Sequence, residues 1–172
     1  MEFNKRKSPR LDGYDYSTPG VYFVTICTYK MRMLFWEKPI RPALENHSEN
    51  LNFAGKIADE IICTLPEKFP VVIDKYVIMP NHVHILLSIK PSDNIIKTQT
   101  GLVPQIIGYL KAKISHRLRE FNVDDIIWHR SFYDHVVRNE EDYQRVCQYI
   151  ESNPNRWEKD RFFKKQEGTD NS

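Results

Sequence analysis

Residues 71–89 read VVIDKYVIMPNHVHILLSI, and this stretch decides how the rest of the chain can fold. Its two halves, Val71–Met79 and His82–Ile89, are rich in β-branched and aliphatic residues, which favour strands. Pro80 and Asn81 between them are typical turn residues. The stretch therefore predicts a tight antiparallel hairpin in the middle of a sheet.

Strands are also predicted towards both ends of the chain. Residues 20–29, GVYFVTICTY, are rich in β-branched and aromatic residues and follow the turn signal Pro19-Gly20. Residues 126–138, IIWHRSFYDHVVR, are likewise rich in aliphatic and aromatic side chains. Together with the hairpin, these segments predict a sheet of four strands.

Three segments have the periodicity of helices. Apolar residues recur at helical spacing in residues 51–65 and form a narrow stripe in residues 104–121. A third helix is predicted from a cap at Asn139 to a stop at Asn153 and Pro154. The order strand, helix, strand, strand, helix, strand, helix predicts an α+β fold. It is a ferredoxin-like antiparallel sheet with helices packed on one face, plus a C-terminal helix.

The length of 172 residues suits one domain with a single core. We expect this domain to span residues 14–163. Residues 1–13 form a basic N-terminal arm, and residues 164–172 have the composition of a flexible tail. One active site per chain is therefore expected.

Composition argues against several classes of protein. No apolar run approaches the roughly 18 residues that cross a bilayer, and no apolar segment follows the basic N-terminus as in a signal peptide. We therefore expect a cytoplasmic protein without membrane contact. The net charge of +2 is too small to indicate a nucleic-acid partner by itself. The three cysteines, Cys27, Cys63 and Cys147, are widely spaced, so we expect small core residues rather than disulfides or a zinc site.

His82 and His84 are separated by one residue, so on a strand they point to the same face. Two imidazoles at such positions can bind one metal ion. On a buried face without a ligand, two titratable groups within an apolar run would be costly. A pair of ordinary strand histidines is the alternative for so short a pattern.

The third helix carries a tyrosine away from its core-facing stripe, which consists of Tyr143, Val146, Cys147 and Ile150. Tyr149 falls about 110° from the centre of that stripe. Asn153 follows one turn later on the same flank, so a phenol and a carboxamide project together. This pair is half of a possible active site, although periodicity alone favours an ordinary boundary tyrosine.

Several segments together resemble the single-tyrosine transposase family, which includes insertion-sequence-200-like and REP-associated tyrosine transposases. They are RLDGYDYSTPGVYFVTICT (10–28), MPNHVHILL (79–87), WHRSFYDHVVRNEEDY (128–143) and QYIESNP (148–154). The resemblance covers nearly the whole domain, with the motifs in the family's order. It implies DNA transposition by a single-stranded DNA endonuclease that cleaves and rejoins hairpin-bearing DNA through a covalent 5′-phosphotyrosine intermediate.

The resemblance also implies the roles of individual residues. His82 and His84 are the paired metal ligands, and Tyr149 on the C-terminal helix is the nucleophile. From the hardness of the ligands we expect the ion to be Mg²⁺ or Mn²⁺. Asn153 matches the position of a third, amide ligand. His135 lies in the matching strand motif, where it lines the site or packs. The implied partner is single-stranded DNA with hairpin structure, bound by a monomer or a homodimer.

Basic side chains flank the apolar stripe of the second helix, and others lie in residues 126–138. We expect them to contact the DNA backbone, although each also fits a solvated surface. They are Lys111, Lys113, Arg117, Arg119, Arg130 and Arg138.

Two alternatives of other classes stay open at this point. A non-catalytic nucleic-acid-binding module with a ferredoxin-like fold would bind without metal and form no covalent adduct. A metal-dependent phosphodiesterase that activates water would still cut DNA after Tyr149→Phe.

Overall fold

The computed structural model describes residues 18–37, 47–91, 101–123 and 126–163. Its sheet has four strands: β1 (Gly20–Cys27), β2 (Val71–Met79), β3 (His82–Ile89) and β4 (Tyr133–Val137). Their order is β2-β3-β1-β4, and each neighbouring pair is antiparallel. The predicted ferredoxin-like α+β architecture is confirmed. The arm at residues 1–13 and the tail at residues 164–172 lie outside the described residues.

The hairpin predicted from residues 71–89 is present with the predicted strand bounds. Met79 pairs with His82 across the turn at Pro80 and Asn81. The prediction that this hairpin lies in the middle of the sheet was wrong, because β2 is an edge strand. β1 pairs with the side of β3 that faces away from β2, and β4 pairs with the far side of β1. Local periodicity does not encode such pairing between distant segments.

Within the described residues, four α-helices accompany the sheet: α1 (Phe53–Cys63), α2 (Leu65–Lys68), α3 (Leu102–Arg119) and α4 (Glu140–Ser152). Asn52 caps α1, since its side chain accepts a hydrogen bond from Gly55 N at 3.0 Å. Asn139 caps α4 as predicted, accepting from Asp142 N at 2.9 Å. Such caps each stabilise a helix by about 1 kcal/mol and fix where it starts.

The two faces of the sheet are covered by different helices. Side chains alternate along a strand, so Phe23 and His84 share one face. α4 packs there, because the ring of Tyr149 contacts the rings of both. The opposite face is buried. Its side chains are Tyr22, Val24, Ile26, Val83, Ile85 and Leu87. α1 and α3, which pack against each other, cover that second face.

Two further predicted features differ in the structure. The fourth strand is shorter than residues 126–138, because only Tyr133–Val137 pairs with β1; before it, Trp128 makes a single bridge to Thr28.

Cys27 and Cys147 are buried, but Cys63 is exposed, which corrects the prediction of three core cysteines. Cys63 follows the buried Ile62 by one residue, a rotation of about 100° away from the core. No helix of the described part could span a membrane.

Candidate metal and tyrosine site

The register of the sheet sets His82 and His84 side by side on the face that α4 covers. Cys27 lies opposite His82 in β1, and Thr25 lies opposite His84. Both histidines are 0% exposed, and their Nε2 atoms lie 3.0 Å apart. Two ring nitrogens therefore converge on one point inside the protein.

Asn81 fixes the orientation of His82. Its Nδ2 donates hydrogen bonds to the carbonyl oxygens of Phe162 at 2.9 Å and Met31 at 3.3 Å. This assigns its Oδ1 to the side of His82, whose Nδ1 lies 2.8 Å away. Because an amide oxygen only accepts, His82 Nδ1 carries the proton and Nε2 keeps a free lone pair. A metal ligand needs this tautomer.

Thr25 is the corresponding partner of His84, with Oγ1 at 2.7 Å from Nδ1. A hydroxyl can donate or accept. When it donates, His84 Nε2–H points at His82 Nε2 and the two rings bond to each other. When it accepts, His84 Nε2 also has a free lone pair. Rotation of the Thr25 hydroxyl, together with transfer of the His84 ring proton from Nε2 to Nδ1, therefore prepares both rings for a cation without moving the backbone.

α4 brings Tyr149 to the histidines. Asn139 caps the helix, and three acidic residues in its first turn interact favourably with the helix dipole. Tyr149 Oη lies 3.5 Å from His84 Nε2, and its ring packs edge-on against Phe23. The phenol is thus directed at the histidine pair.

The segment after α4 adds a carboxylate that the sequence did not single out. A 3-10 helix, Pro154–Lys159, leads to Asp160. Asp160 Oδ2 accepts hydrogen bonds from Tyr149 Oη at 3.4 Å and Asn153 Nδ2 at 3.1 Å. Its Oδ1 accepts from Phe162 N at 2.7 Å. The carboxylate is therefore held beside the phenol by both neighbouring segments.

A divalent cation fits the arrangement of Asp160, His82 and His84. One ligand atom from each lies within 4.8 Å of the other two. Imidazole nitrogens suit Mn²⁺, whereas Mg²⁺ prefers oxygen ligands and keeps waters. Asn153 Oδ1 is buried and accepts no hydrogen bond from the described residues. An amide oxygen is therefore also available close to Asp160.

Burial keeps both histidines neutral. It lowers the pKa of His84 to about 3, and the positive charge of Arg161 acts in the same direction. Burial, the charge of a protonated His84 and Arg161 all lower the pKa of His82 well below its usual value. Neutral rings leave their lone pairs free, as metal binding requires.

The phenol of Tyr149 is held in its protonated form. Burial and the Asp160 carboxylate raise its pKa, whereas Arg161 and a hydrogen bond with Asn153 lower it, and together they give a pKa of about 12. Ionisation of the phenol therefore needs additional positive charge. A cation bound by the histidines would supply that charge next to Tyr149.

Asn81, Asp160 and Arg161 are parts of the site that the sequence did not reveal. Asn81 lies in the predicted turn, where an asparagine is common, so nothing in the sequence indicated its contact with His82. Asp160 and Arg161 follow no periodic pattern. The aromatic pair Phe162-Phe163 was the available signal, because two adjacent aromatic rings indicate a packed segment. Phe162 lies 4.7 Å from the His82 ring, measured between ring centroids.

The structure pairs His135 with α4 through Asp142. His135 Nε2 lies 2.7 Å from Asp142 Oδ2, and Arg145 donates to Asp142 Oδ1 at 2.7 Å. Burial opposes ionisation of Asp142, but these hydrogen bonds lower its pKa overall. These contacts link the start of α4 to β4. Because α4 carries Tyr149, they also help to position the phenol.

The six basic residues predicted to contact DNA are not equally exposed. Lys111 is half-buried, and its Nζ donates to the carbonyls of His129 and Ser131, both at 2.8 Å. Burial lowers its pKa to about 8. Lys111 therefore stabilises the segment before β4, and its ammonium group is directed at these carbonyls rather than at a DNA phosphate. The other five are exposed: Lys113, Arg117, Arg119, Arg130 and Arg138.

The fold and the site together define a class of protein: an antiparallel sheet that presents two metal-competent histidines to a tyrosine from its last helix. A family model described as "Transposase IS200 like" matches residues 21–153. The chain belongs to this family of IS200-like transposases. Its family therefore places it among DNA-cleaving enzymes.

Individual proteins are also similar to this chain. An uncharacterized protein of Haemophilus influenzae is 31% identical over 173 residues, covering 92% of this chain and 93% of the relative. A putative REP-associated tyrosine transposase of the same organism is 28% identical over 98 residues, covering 51% and 52%. The solved structure of a REP-associated tyrosine transposase bound to a REP hairpin shares the fold. It has a TM-score of 0.55 at 19% identity, over 84% of this chain and 73% of that chain.

Proposed function

We propose that this protein cuts and rejoins single-stranded DNA through a covalent bond between Tyr149 and a 5′ phosphate. The observation that carries the proposal is the 3.5 Å distance from Tyr149 Oη to His84 Nε2, beside the paired His82. A phosphate held at these histidines by a cation would be within reach of the phenol. Membership of a transposase family supports the reaction class.

In the proposed reaction, Tyr149 Oη forms a bond to phosphorus while the bond from phosphorus to the 3′ oxygen breaks. The phenolic proton leaves along the hydrogen bond to Asp160 Oδ2. The 3′ oxygen takes a proton from water and leaves as a hydroxyl. Because one phosphate ester replaces another, the reverse attack by a 3′ hydroxyl rejoins DNA without an external energy source.

We further propose that His82, His84 and Asp160 hold the divalent cation, Mn²⁺ or Mg²⁺. When bound, the cation would withdraw charge from the scissile phosphate and favour the phenolate. Asn153 turns its nitrogen towards Asp160, so in this arrangement it orients the carboxylate. The amide-ligand role expected for Asn153 would require its buried Oδ1 to face the cation instead.

The proposed substrate is single-stranded DNA with a hairpin. Support comes from the relative whose structure contains a REP hairpin and shares this fold. Arg161 brings positive charge to the site, since it lowers the pKa values of both histidines. We propose the exposed basic residues Lys113, Arg117, Arg119, Arg130 and Arg138 as contacts to the DNA backbone.

The experiment that tests this function is a denaturing gel of protein incubated with labelled hairpin DNAs carrying single-stranded flanks, in Mn²⁺ or Mg²⁺. Wild type should give a covalent protein–DNA adduct that needs metal. Tyr149→Phe and His82→Ala should each abolish it. Tyr143→Phe is the matched control, because Tyr143 lies on the same helix and packs in its core-facing stripe; this variant should form the adduct.

Two results would contradict the proposal. Cutting that persists in Tyr149→Phe would identify water as the nucleophile and make this a phosphodiesterase. Hairpin binding that is independent of metal, with no adduct on any hairpin, would indicate a non-catalytic binding module.

A further inference from the structure

Tyr133 lies in the same cross-strand row as His84, one of the two metal-competent histidines. Thr25 pairs with His84 on one side and with Tyr133 on the other. Directly paired residues point to the same face of a sheet. With strands about 4.8 Å apart, the backbone of Tyr133 is roughly 10 Å from that of His84. Tyr133 therefore belongs to the face that carries the site.

The Tyr133 side chain is 49% exposed, although it lies on the same face as the buried histidines. It is also connected to the buried part of the site. Its ring centroid lies 6.0 Å from that of Phe162, which in turn lies 4.7 Å from the ring of His82. The rings of Tyr133, Phe162 and His82 thus form a continuous row from solvent to the histidines.

Arg161 adds a positive charge to this row. Its guanidinium carbon lies 5.5 Å from the centre of the Tyr133 ring and 4.5 Å from that of Phe162. Arg161 itself is exposed. An exposed ring beside an exposed cation matches the two parts of a nucleotide, since the base stacks on the ring and the phosphate pairs with the guanidinium. We call Tyr133, Arg161 and Phe162 the Tyr133 platform.

We propose that the Tyr133 platform binds a nucleobase of the single-stranded DNA next to the phosphate that is cut. The inference rests on the proposed function and deepens it by naming where an unpaired base sits. Charge complementarity favours this occupant, because Arg161 attracts a phosphodiester backbone. Stacking on an aromatic ring accepts any base, so the platform holds the strand without reading its sequence.

The test uses hairpin DNAs with 2-aminopurine placed at each unpaired position in turn, bound to protein carrying Tyr149→Phe so that no cutting occurs. At one position, fluorescence should be quenched on binding. Adding Tyr133→Ser should abolish the quenching and weaken binding about tenfold. Adding Tyr133→Phe is the matched control and should preserve both, because it keeps the ring. Thermal unfolding of the variants should be unchanged, since Tyr133 is half exposed.

An abasic nucleotide at the quenched position provides a second measurement. On that DNA, Tyr133→Ser should no longer weaken binding, because the base that would stack on Tyr133 is absent. Quenching at no position, or a penalty that persists with the abasic DNA, would overturn the inference. If wild type forms the covalent adduct but the Tyr149→Phe protein quenches no position, this inference is wrong and the proposed function stands. Quenching without any adduct supports the platform and contradicts the proposed nucleophile.

Discussion

The phenol of Tyr149 donates a hydrogen bond to Asp160 Oδ2 over 3.4 Å, and Asn153 Nδ2 donates to the same oxygen over 3.1 Å. One carboxylate therefore connects the proposed nucleophile to the end of its own helix. Asp160 also lies within ligand distance of His82 and His84. Its charge acts on the phenol and on any bound cation together.

Asp160→Asn should weaken Mn²⁺ binding about tenfold or more, because it removes the negative charge from the proposed ligand set while keeping its size. Isothermal titration calorimetry with Mn²⁺ measures this directly. Glu158→Gln is the matched control: Glu158 is exposed on the same segment, so its variant should bind like wild type. Equal affinity in Asp160→Asn and wild type would assign the third ligand elsewhere, with Asn153 Oδ1 as the next choice.

Asn81→Ala should weaken Mn²⁺ binding by about 10- to 100-fold, since it removes the acceptor that fixes the tautomer of His82. Asn81→Asp should retain most of the affinity, because a carboxylate also accepts from His82 Nδ1. Both variants lose the hydrogen bonds to Met31 and Phe162, so each serves as the folding control of the other. Identical affinities for the two variants would refute the tautomer role.

The metal-free protein should lose stability as the pH falls below about 6.5. Because the folded-state pKa values of His82 and His84 are lowered, the unfolded chain binds protons that the folded chain does not. Stability then falls with slope up to about 1.4 kcal/mol per pH unit for each histidine. Urea unfolding between pH 7.5 and 5 in chelator should show this slope reduced in His84→Gln. An equal slope in His84→Gln and wild type would contradict this prediction.

Asp142→Asn should destabilise the fold by about 1–2 kcal/mol at pH 7, since it weakens the hydrogen bonds with His135 and Arg145. The pKa of Asp142 is lowered in the folded state, so its contribution is present above the usual Asp pKa and disappears on acidification through the folded value. Denaturant unfolding at pH 7 and at pH 3 checks this. Glu141→Gln alters an exposed neighbour and should change stability little; an equal effect in both variants would speak against the cluster.

Replacing Lys113, Arg117 and Arg119 together by alanine should lower the salt dependence of DNA binding. Each lost phosphate contact reduces the slope of log K against log salt by about 0.7 for single strands. Fluorescence anisotropy at several salt concentrations measures the slope, with Lys68→Ala as an exposed control on α2. An unchanged slope would show that α3, which covers the face opposite the histidines, is a solvated surface.

Local sequence determined much of this protein. The strand bounds Val71–Met79 and His82–Ile89, the cap at Asn139 and the shared face of His82 and His84 all follow from periodicity and turn residues. Periodicity succeeds there because a residue's side of a strand or helix depends only on its neighbours in the chain.

Tertiary structure alone decided the rest. Asp160 reaches Tyr149 only because the chain turns back after α4, and Tyr133 joins the row of His84 only through pairing across β1. The edge position of β2 was predicted wrongly for the same reason. Contacts between distant segments depend on which surfaces pack together, and that is fixed by the register and burial of the whole fold rather than by any local pattern.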